Sequence, residues 1–393
     1  MAYEPDAPTL ERYARLLVDY ALGAGNGIRP GDTVLVVGGE ETKPLFAEVC
    51  RAVWRSGGNV IQELTFGHDG RFNLERDFFE IATDAQLDHF PASHQRGLLD
   101  EIDHMLYIDG SDDPHALEGV DPQRIMRRQA AFMPLMRWRQ EKEAQERLHW
   151  TIGLWGTEAM AAEAGLSAEQ YWEQIVKACY LDDPDPIARW RETNAAIERY
   201  RDWLNSLEIE RLHVEAEGTD LWLSLGERRR WVGGGGRNIP SFEIFTSPDW
   251  RGTNGHITFS EPLYSHGTIA RGIRLQFRDG VVTAVAAEEN PELVEQIAAA
   301  PGGNRVGEFS LTDARLSRID RFMASTLYDE NVGGPYGNTH LALGFSISDT
   351  YDGDAAALGD EEWERLGFNL NAAVHNDMVA TTDRTVTAVM RDG

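Results

Sequence analysis

Residues 29–66 read RPGDTVLVVGGEETKPLFAEVCRAVWRSGGNVIQELTF. Arg-Pro-Gly-Asp is a turn signal, and Thr33 to Val37 form a short β-branched, apolar run of the kind a buried strand shows. TKPLFAEVCRAVWRSGG then places apolar side chains at helical spacing and stops on two glycines. NVIQELTF is strand-like again. Strand, helix, strand in this order predicts a parallel pair, because parallel strands need a crossover and a helix usually supplies it. The Gly38-Gly39 pair raises phosphate binding, but neither GxGxxG nor GxxxxGK[ST] occurs here, so it is read as a loop.

The same alternation extends on both sides. Residues 9–24, TLERYARLLVDYALGA, carry a helical pattern with Thr9 as the candidate cap. HMLYIDG (104–110) and WTIGLWG (150–156) are strand candidates separated by a helical stretch from Pro122 to Leu148. LDDPDPIARW breaks the pattern, and PIARWRETNAAIERYRDWLNSL reads as a connecting helix. From about residue 207 the texture changes: RLHVEAEGTDLWLSL, GHITFSEPL, IARGIRLQFRDGVVTAVAAEE and TDRTVTAVMRD alternate apolar and polar residues around Gly and Asp-Gly turns, as antiparallel hairpins do. One helix, NPELVEQIAAA, interrupts them. The expected architecture is an N-terminal α/β domain with a mostly parallel sheet (1–186), a connecting helix (187–206) and an α+β, antiparallel-rich domain (207–393).

With 393 residues and 42% hydrophobic content the chain has ample material for a packed core. Its net charge of −28 disfavours nucleic acid, whose phosphates are bound by Lys and Arg. Lys occurs only at positions 43, 142 and 177, a bias that fits either a high-salt cytoplasm or GC-rich codon usage. No apolar run approaches the roughly 18 residues of a membrane span. The opening stretch lacks a basic region followed by an apolar one, so no signal peptide is expected. Cys50 and Cys179 stand far apart, which argues against a disulfide framework or a thiolate zinc site and for a reducing cytoplasm.

Chemistry enters near the C-terminus, in LNAAVHNDMVATT (370–382). In a strand, His375 and Asp377 share a face, either as an ion pair that orients the imidazole or as two ligands of one metal. Other acids and imidazoles sit in apolar or Gly-rich surroundings: Glu243 in RNIPSFEIFTSP, Glu308 in NRVGEFSL and His340 in DENVGGPYGNTHLALG. Each has an ordinary reading, as an arginine partner or a hydrogen-bonded core histidine. Together they form an oxygen-and-imidazole ligand set suited to Zn, Mn, Co or Fe. Five protein ligands are too many for one open catalytic zinc and suit a pair of ions bridged by a carboxylate.

NIPSFEIFTSP, GEFSL, DEN…THLALG and VHNDMV resemble, in order, the metal-site motifs of the thermophilic aminopeptidase family, peptidase family M29 of the aminopeptidase T type. ERYARLLVDYAL…IRPGDTVLV, YWEQIVKACYLDDPDPIARWRE and GTDLWLSL resemble its opening and middle segments, so the likeness spans the chain. The resemblance implies that Glu243, Glu308, His340, His375 and Asp377 hold two divalent ions (Zn, Co, Mn or Mg), with Glu308 the bridging candidate. It further implies a homodimer with its site in an internal cavity, acting on peptides with a free N-terminus. Two positions depart from the family: Ile347 stands where a tyrosine is common, with Tyr351 nearby as a substitute, and Phe242 replaces a small residue and is expected to narrow the pocket.

The implied reaction is hydrolysis of the N-terminal residue by a metal-activated water, its proton shuttled by Glu308 or by an unligated acid. His256 and His266 flank ITFSEPLYS and are read as loop residues in preference to cleft-lining ones. The rival is a mononuclear Fe(II) ring-cleaving dioxygenase, because His340, His375 and Asp377 alone make a two-His-one-carboxylate set and dihydroxypyridine dioxygenases resemble this family. That chemistry has no use for Glu243 and Glu308. A non-catalytic acidic binding protein is the third reading, and it would bind no metal tightly.

Overall fold

The structure, a computed structural model, describes residues 3–67, 72–265 and 267–391. His266 therefore lies outside the described residues. The chain divides into two compact units, residues 1–190 with 235–239, and residues 191–234 with 240–393.

The first unit is built on a parallel sheet of β1 (Thr33–Gly39), β2 (Asn59–Thr65), β3 (His104–Asp109) and β4 (His149–Leu154), in the order β2-β1-β3-β4. The helix Lys43–Arg55 makes the β1–β2 crossover and buries Leu45, Phe46, Val49 and Val53. Gly38 and Gly39, read from sequence as a loop, instead pair with Leu64 and Thr65 as the last residues of β1. The first helix runs Ala7–Leu16 and is capped by Asp6, whose carboxylate accepts from Thr9 N–H, so the cap precedes the expected Thr9 by one turn. The long helical stretch after residue 122 is two helices, Pro122–Ala131 and Met133–Ala144, divided at Phe132. Pro134 explains the break, since it cannot donate to the preceding turn.

In the second unit β5 (Ile209–Ala216), β6 (Thr219–Ser224), β8 (Asp249–Thr258), β11 (Arg274–Arg278), β12 (Val281–Ala286) and β16 (Arg384–Met390) form an antiparallel sheet ordered β12-β11-β8-β6-β5-β16. A second antiparallel sheet holds β7 (Glu243–Thr246), β13 (Val306–Thr312), β14 (Asn338–Gly344) and β15 (His375–Ala380), ordered β15-β14-β13-β7. A small ribbon pairs β9 (Leu263–Ser265) with β10 (Thr268–Ala270). One buried cluster, including Leu221, Leu223, Ile257, Leu275, Phe309, Leu341 and Met378, draws on both larger sheets. Alternation does the rest: Phe309 and Leu341 turn into this cluster, so Glu308, Ser310 and His340 turn the other way. Helix Pro186–Asn205 precedes β5. Among the described residues no helix is long and apolar enough to cross a membrane.

Candidate metal centre

Strand register brings the acids and imidazoles together. Thr312 lies opposite Glu243, Ser310 opposite His340, Ala342 opposite Asp377 and Gly344 opposite His375. These four strands therefore deliver side chains separated by up to 134 positions in sequence to one patch of one sheet face. Two glycines make the approach geometrically accessible. A Cβ on Gly307 would stand 2.2 Å from Phe345 O, and Gly344 has φ +114° with Val374 O 1.9 Å from where its Cβ would be. Gly307 lies within a register shift of β13 immediately before Glu308, which explains why a glycine precedes that carboxylate.

All five residues singled out in the sequence meet here. His340 Nε2 is 3.2 Å from Glu308 Oε1, 3.3 Å from Glu243 Oε2 and 3.8 Å from Asp377 Oδ1. His375 Nε2 is 3.5 Å from Asp377 Oδ1 and 3.8 Å from Glu308 Oε2. Glu308 thus presents one oxygen to each imidazole. Glu243 is steadied by the hydroxyls of Ser310 (3.3 Å) and Ser241 (3.4 Å). Glu243, Glu308, His340 and Asp377 are buried, whereas the side chain of His375 keeps 29% of its surface exposed, so the patch is open on that side.

Both imidazoles are oriented through Nδ1. His340 Nδ1 lies 3.1 Å from the Glu330 carbonyl and His375 Nδ1 lies 2.7 Å from the Phe345 carbonyl. A carbonyl only accepts, so each Nδ1 carries the proton and each Nε2 is left to face the carboxylates. Phe345 O is the same atom that excludes a Cβ at residue 307. One backbone carbonyl therefore fixes a histidine and the approach to Glu308 together.

One further acid belongs to the patch and was not picked out from the sequence. Glu330 feels the charges of Glu243, Asp377 and Glu308; burial first, and then those charges, hold its carboxyl group well above the usual carboxylate range. The signal was within the quoted DEN segment, but nothing local to it announces that Glu330 lies within reach of the other charges. Burial and the neighbouring Glu308 push Glu243 up to about 7. Burial disfavours the charged imidazoles, yet the carboxylates outweigh it and raise His340 to about 9 and His375 to about 10. For Asp377 the imidazoles overcome burial and keep it below its ordinary value.

This is the electrostatic pattern of a cation site. Three carboxylates converge with two imidazoles, and no Lys or Arg enters any of these contacts. Asp377 Oδ1 is buried with no hydrogen-bond partner, a costly state for an acceptor unless a ligand completes it. Ligand atoms of Glu243, Glu308 and His340 all lie within 4.8 Å of one another. The donor set is hard oxygen and imidazole nitrogen with no sulfur, which fits Zn, Co, Mn or Mg.

The departures also have places. Ile347 lies half-buried in the loop after β14, its N–H donating to Ser247 Oγ at 2.8 Å. Tyr351 packs its ring edge-on against Trp363 and Phe368 in a separate apolar cluster. Phe242 is fully buried and helps line a cavity of about 500 Å³ with Trp203, Leu311 and Tyr336. His256 lies exposed on β8, not in a loop as read from sequence.

Comparison with known proteins places these features in a lineage. Residues 6–393 match the profile of the family described as thermophilic metalloprotease (M29). Aminopeptidase 2 of Geobacillus stearothermophilus is 28% identical over 98% of this chain and 94% of its own. Aminopeptidase T of Thermus thermophilus is 28% identical over 98% and 96%. The solved structure of wild-type AmpT from Thermus thermophilus superposes with a TM-score of 0.81 at 27% identity, covering 98% of this chain and 96% of that one. A 2,5-dihydroxypyridine dioxygenase from Pseudomonas putida KT2440 reaches a TM-score of 0.50 at 13% identity over 98% and 96%, a likeness of fold alone.

Proposed function

The chain belongs to the thermophilic metalloprotease family M29, and from that premise we propose that it is an aminopeptidase whose Glu243, Glu308, His340, His375 and Asp377 hold two divalent ions. The observation that carries the reading is Glu308, whose two oxygens face two different imidazole Nε2 atoms at 3.2 and 3.8 Å. A carboxylate so placed can serve two cations at once. Charge agrees: Glu243, Glu308 and Asp377 bring three carboxylates to a buried site, one more than a single divalent ion offsets. When bound, such ions supply Lewis-acid polarisation of the scissile carbonyl and a water acidified towards neutrality.

The chain's own groups do the remainder. Glu330 O and Phe345 O hold the Nδ1 protons and keep both Nε2 atoms directed inward. Ser310 and Ser241 fix the Glu243 carboxylate. Glu308 is the first-named candidate for proton transfer, but a carboxylate shared between two ions is a poor base. Glu330, the acid outside the five whose carboxyl group feels their charges, is the group assigned to accept the water's proton and return it to the leaving amine. Catalysis is assigned to the 207–393 region, with 1–186 as an N-terminal domain, 187–206 as the connection and a homodimer as the assembly carried over from the family resemblance. Light scattering tests the last of these.

The dioxygenase reading would use His340, His375 and Asp377 and leave Glu243 and Glu308 idle, although both lie against His340 Nε2. The discriminating experiment incubates metal-loaded protein with a broad set of dipeptides, free and N-acetylated. Release of the first residue from free peptides alone is the expected result. No release from any free peptide would defeat the assignment.

A further inference from the structure

Asn331 follows Glu330 and precedes the loop that leads to β14. It is completely buried and every polar atom of its side chain is engaged. Oδ1 accepts from Phe242 N–H at 2.6 Å, and Nδ2 donates to Leu327 O at 3.1 Å and to Glu330 Oε1 at 3.2 Å. The amide cannot be flipped: Phe242 N–H only donates and Leu327 O only accepts, so the oxygen must face the first and the nitrogen the second.

These bonds connect two parts of the site that the strands do not connect. Phe242 is the residue before Glu243, so one end of the Asn331 amide grips the start of β7. The other end holds the Glu330 carboxyl group. The backbone of Glu330 is held separately, its carbonyl accepting from Asn338 Nδ2 at 2.9 Å and from His340 Nδ1 at 3.1 Å. Asp329 anchors the other flank by accepting Met323 N–H at 2.7 Å and Ser325 N–H at 2.9 Å. The backbone of Glu330 itself is thus held without Asn331, whose amide adds a tie between Phe242 N–H and Leu327 O and the direction of the Glu330 side chain.

We infer that Asn331 is a positioning residue, holding the Glu330 carboxyl group at a fixed place relative to Glu243 so that it can carry the proton of the reaction. The inference rests on the proton-transfer role proposed for Glu330. Asn331 touches none of the five ligand side chains in the contacts described, so an effect on turnover passes through Glu330 or through the backbone before Glu243, and a Glu330→Gln background separates the two. Loss of a positioned charge-assisted hydrogen bond is worth on the order of a tenfold change in rate or more.

The test is a double-mutant cycle on the metal-loaded, full-length chain, using whichever dipeptide the unmodified chain cleaves best. Asn331→Ala is expected to lower kcat about tenfold or more, with KM and metal content within about twofold of the parent. In a Glu330→Gln background the same change is expected to cost less than about twofold. An equal loss in both backgrounds, or loss of metal from Asn331→Ala, would overturn the positioning role and leave Asn331 a structural residue. Asn331→Asp keeps the acceptor for Phe242 N–H and removes both donations, to Leu327 O and to Glu330, so its unfolding temperature is read beside its kcat. It is expected to reproduce the kcat loss with an unfolding temperature close to the parent in chelator, and wild-type kcat in this variant would also overturn the inference. Failure of the underlying reading looks different: Glu330→Gln itself would then turn over at the wild-type rate.

Discussion

Glu308→Gln is the substitution whose consequences differ most between a cation site and a merely structural ion cluster. Removing one partner from an ordinary buried ion pair costs about 3–5 kcal/mol, because the other charge is stranded. Here Glu308 is one of three convergent carboxylates, and its charge is the second largest influence pushing Glu243 up to about 7. Neutralising it relieves repulsion within the set while the imidazoles keep Asp377 and Glu243 as partners at 3.3–3.8 Å. Without metal, Glu308→Gln is therefore expected to unfold within about 1 kcal/mol of the parent or above it. With metal the sign reverses. An ion present at 100 to 1,000 times its dissociation constant stabilises the parent by about 2.7–4.1 kcal/mol. For a unit of this size that is a rise in Tm of roughly 5–16 °C. Glu308→Gln removes the carboxylate placed to serve both ions, so that rise should shrink to a few degrees. Scanning calorimetry of both proteins, in chelator and in excess Mn²⁺ or Zn²⁺, reads all four values. A variant that keeps the full metal-dependent rise refutes the bridging role, and a variant crippled in chelator refutes the repulsion argument.

In metal-free protein the histidines should make stability pH-dependent. Their folded values, about 9 for His340 and about 10 for His375, lie above the ordinary 6.5. The stabilisation is thus fully present below about pH 6.5 and is lost as pH rises through 9 and 10; urea denaturation in chelator should show this fall, and metal-loaded protein should not. His375→Ala removes the proposed ligand nearest the open side of the patch and should lower metal content towards one ion per chain, with activity down at least about a hundredfold; elemental analysis and peptide turnover check both. Gly307→Ala forces a methyl group against Phe345 O, the carbonyl that orients His375, and should reduce both metal content and Tm. Normal metal binding in that variant would mean that the carbonyl contact is not what sets the histidine.

The parallel sheet and the hairpins were legible because their signals are local. The run from Thr33 to Val37, the helix Lys43–Arg55 and the alternation in β5, β6, β11 and β12 each declare themselves within a dozen residues. The end of β1 was misread because its two glycines carry no strand propensity, while pairing with Leu64 and Thr65 is decided by the neighbouring strand. The first cap was misplaced by one turn, since Thr9 and Asp6 are both good caps and the chain chose the one before Pro8.

The five ligand candidates could be named from context and family resemblance, but their meeting could not be read from spacing. His340 faces Glu243 only because β13 lies between β14 and β7. The partners that orient the imidazoles were hidden more deeply still. Backbone carbonyls have no sequence signature, and Phe345 lies 30 residues from the histidine that it holds. Glu330 escaped for the same reason. Its backbone is placed by Asn338 and His340 reaching back across a loop, and its side chain by an amide whose other end grips Phe242.

The most direct test of the dinuclear account is to strip the protein with chelator and return Zn²⁺, Mn²⁺ or Co²⁺ in counted equivalents. Bound metal is measured by elemental analysis beside N-terminal residue release at each step. Saturation at two ions per chain, with activity reaching its plateau as the second is bound, is the expected result. Full peptide hydrolysis at one ion per chain, or in protein holding none, would contradict it.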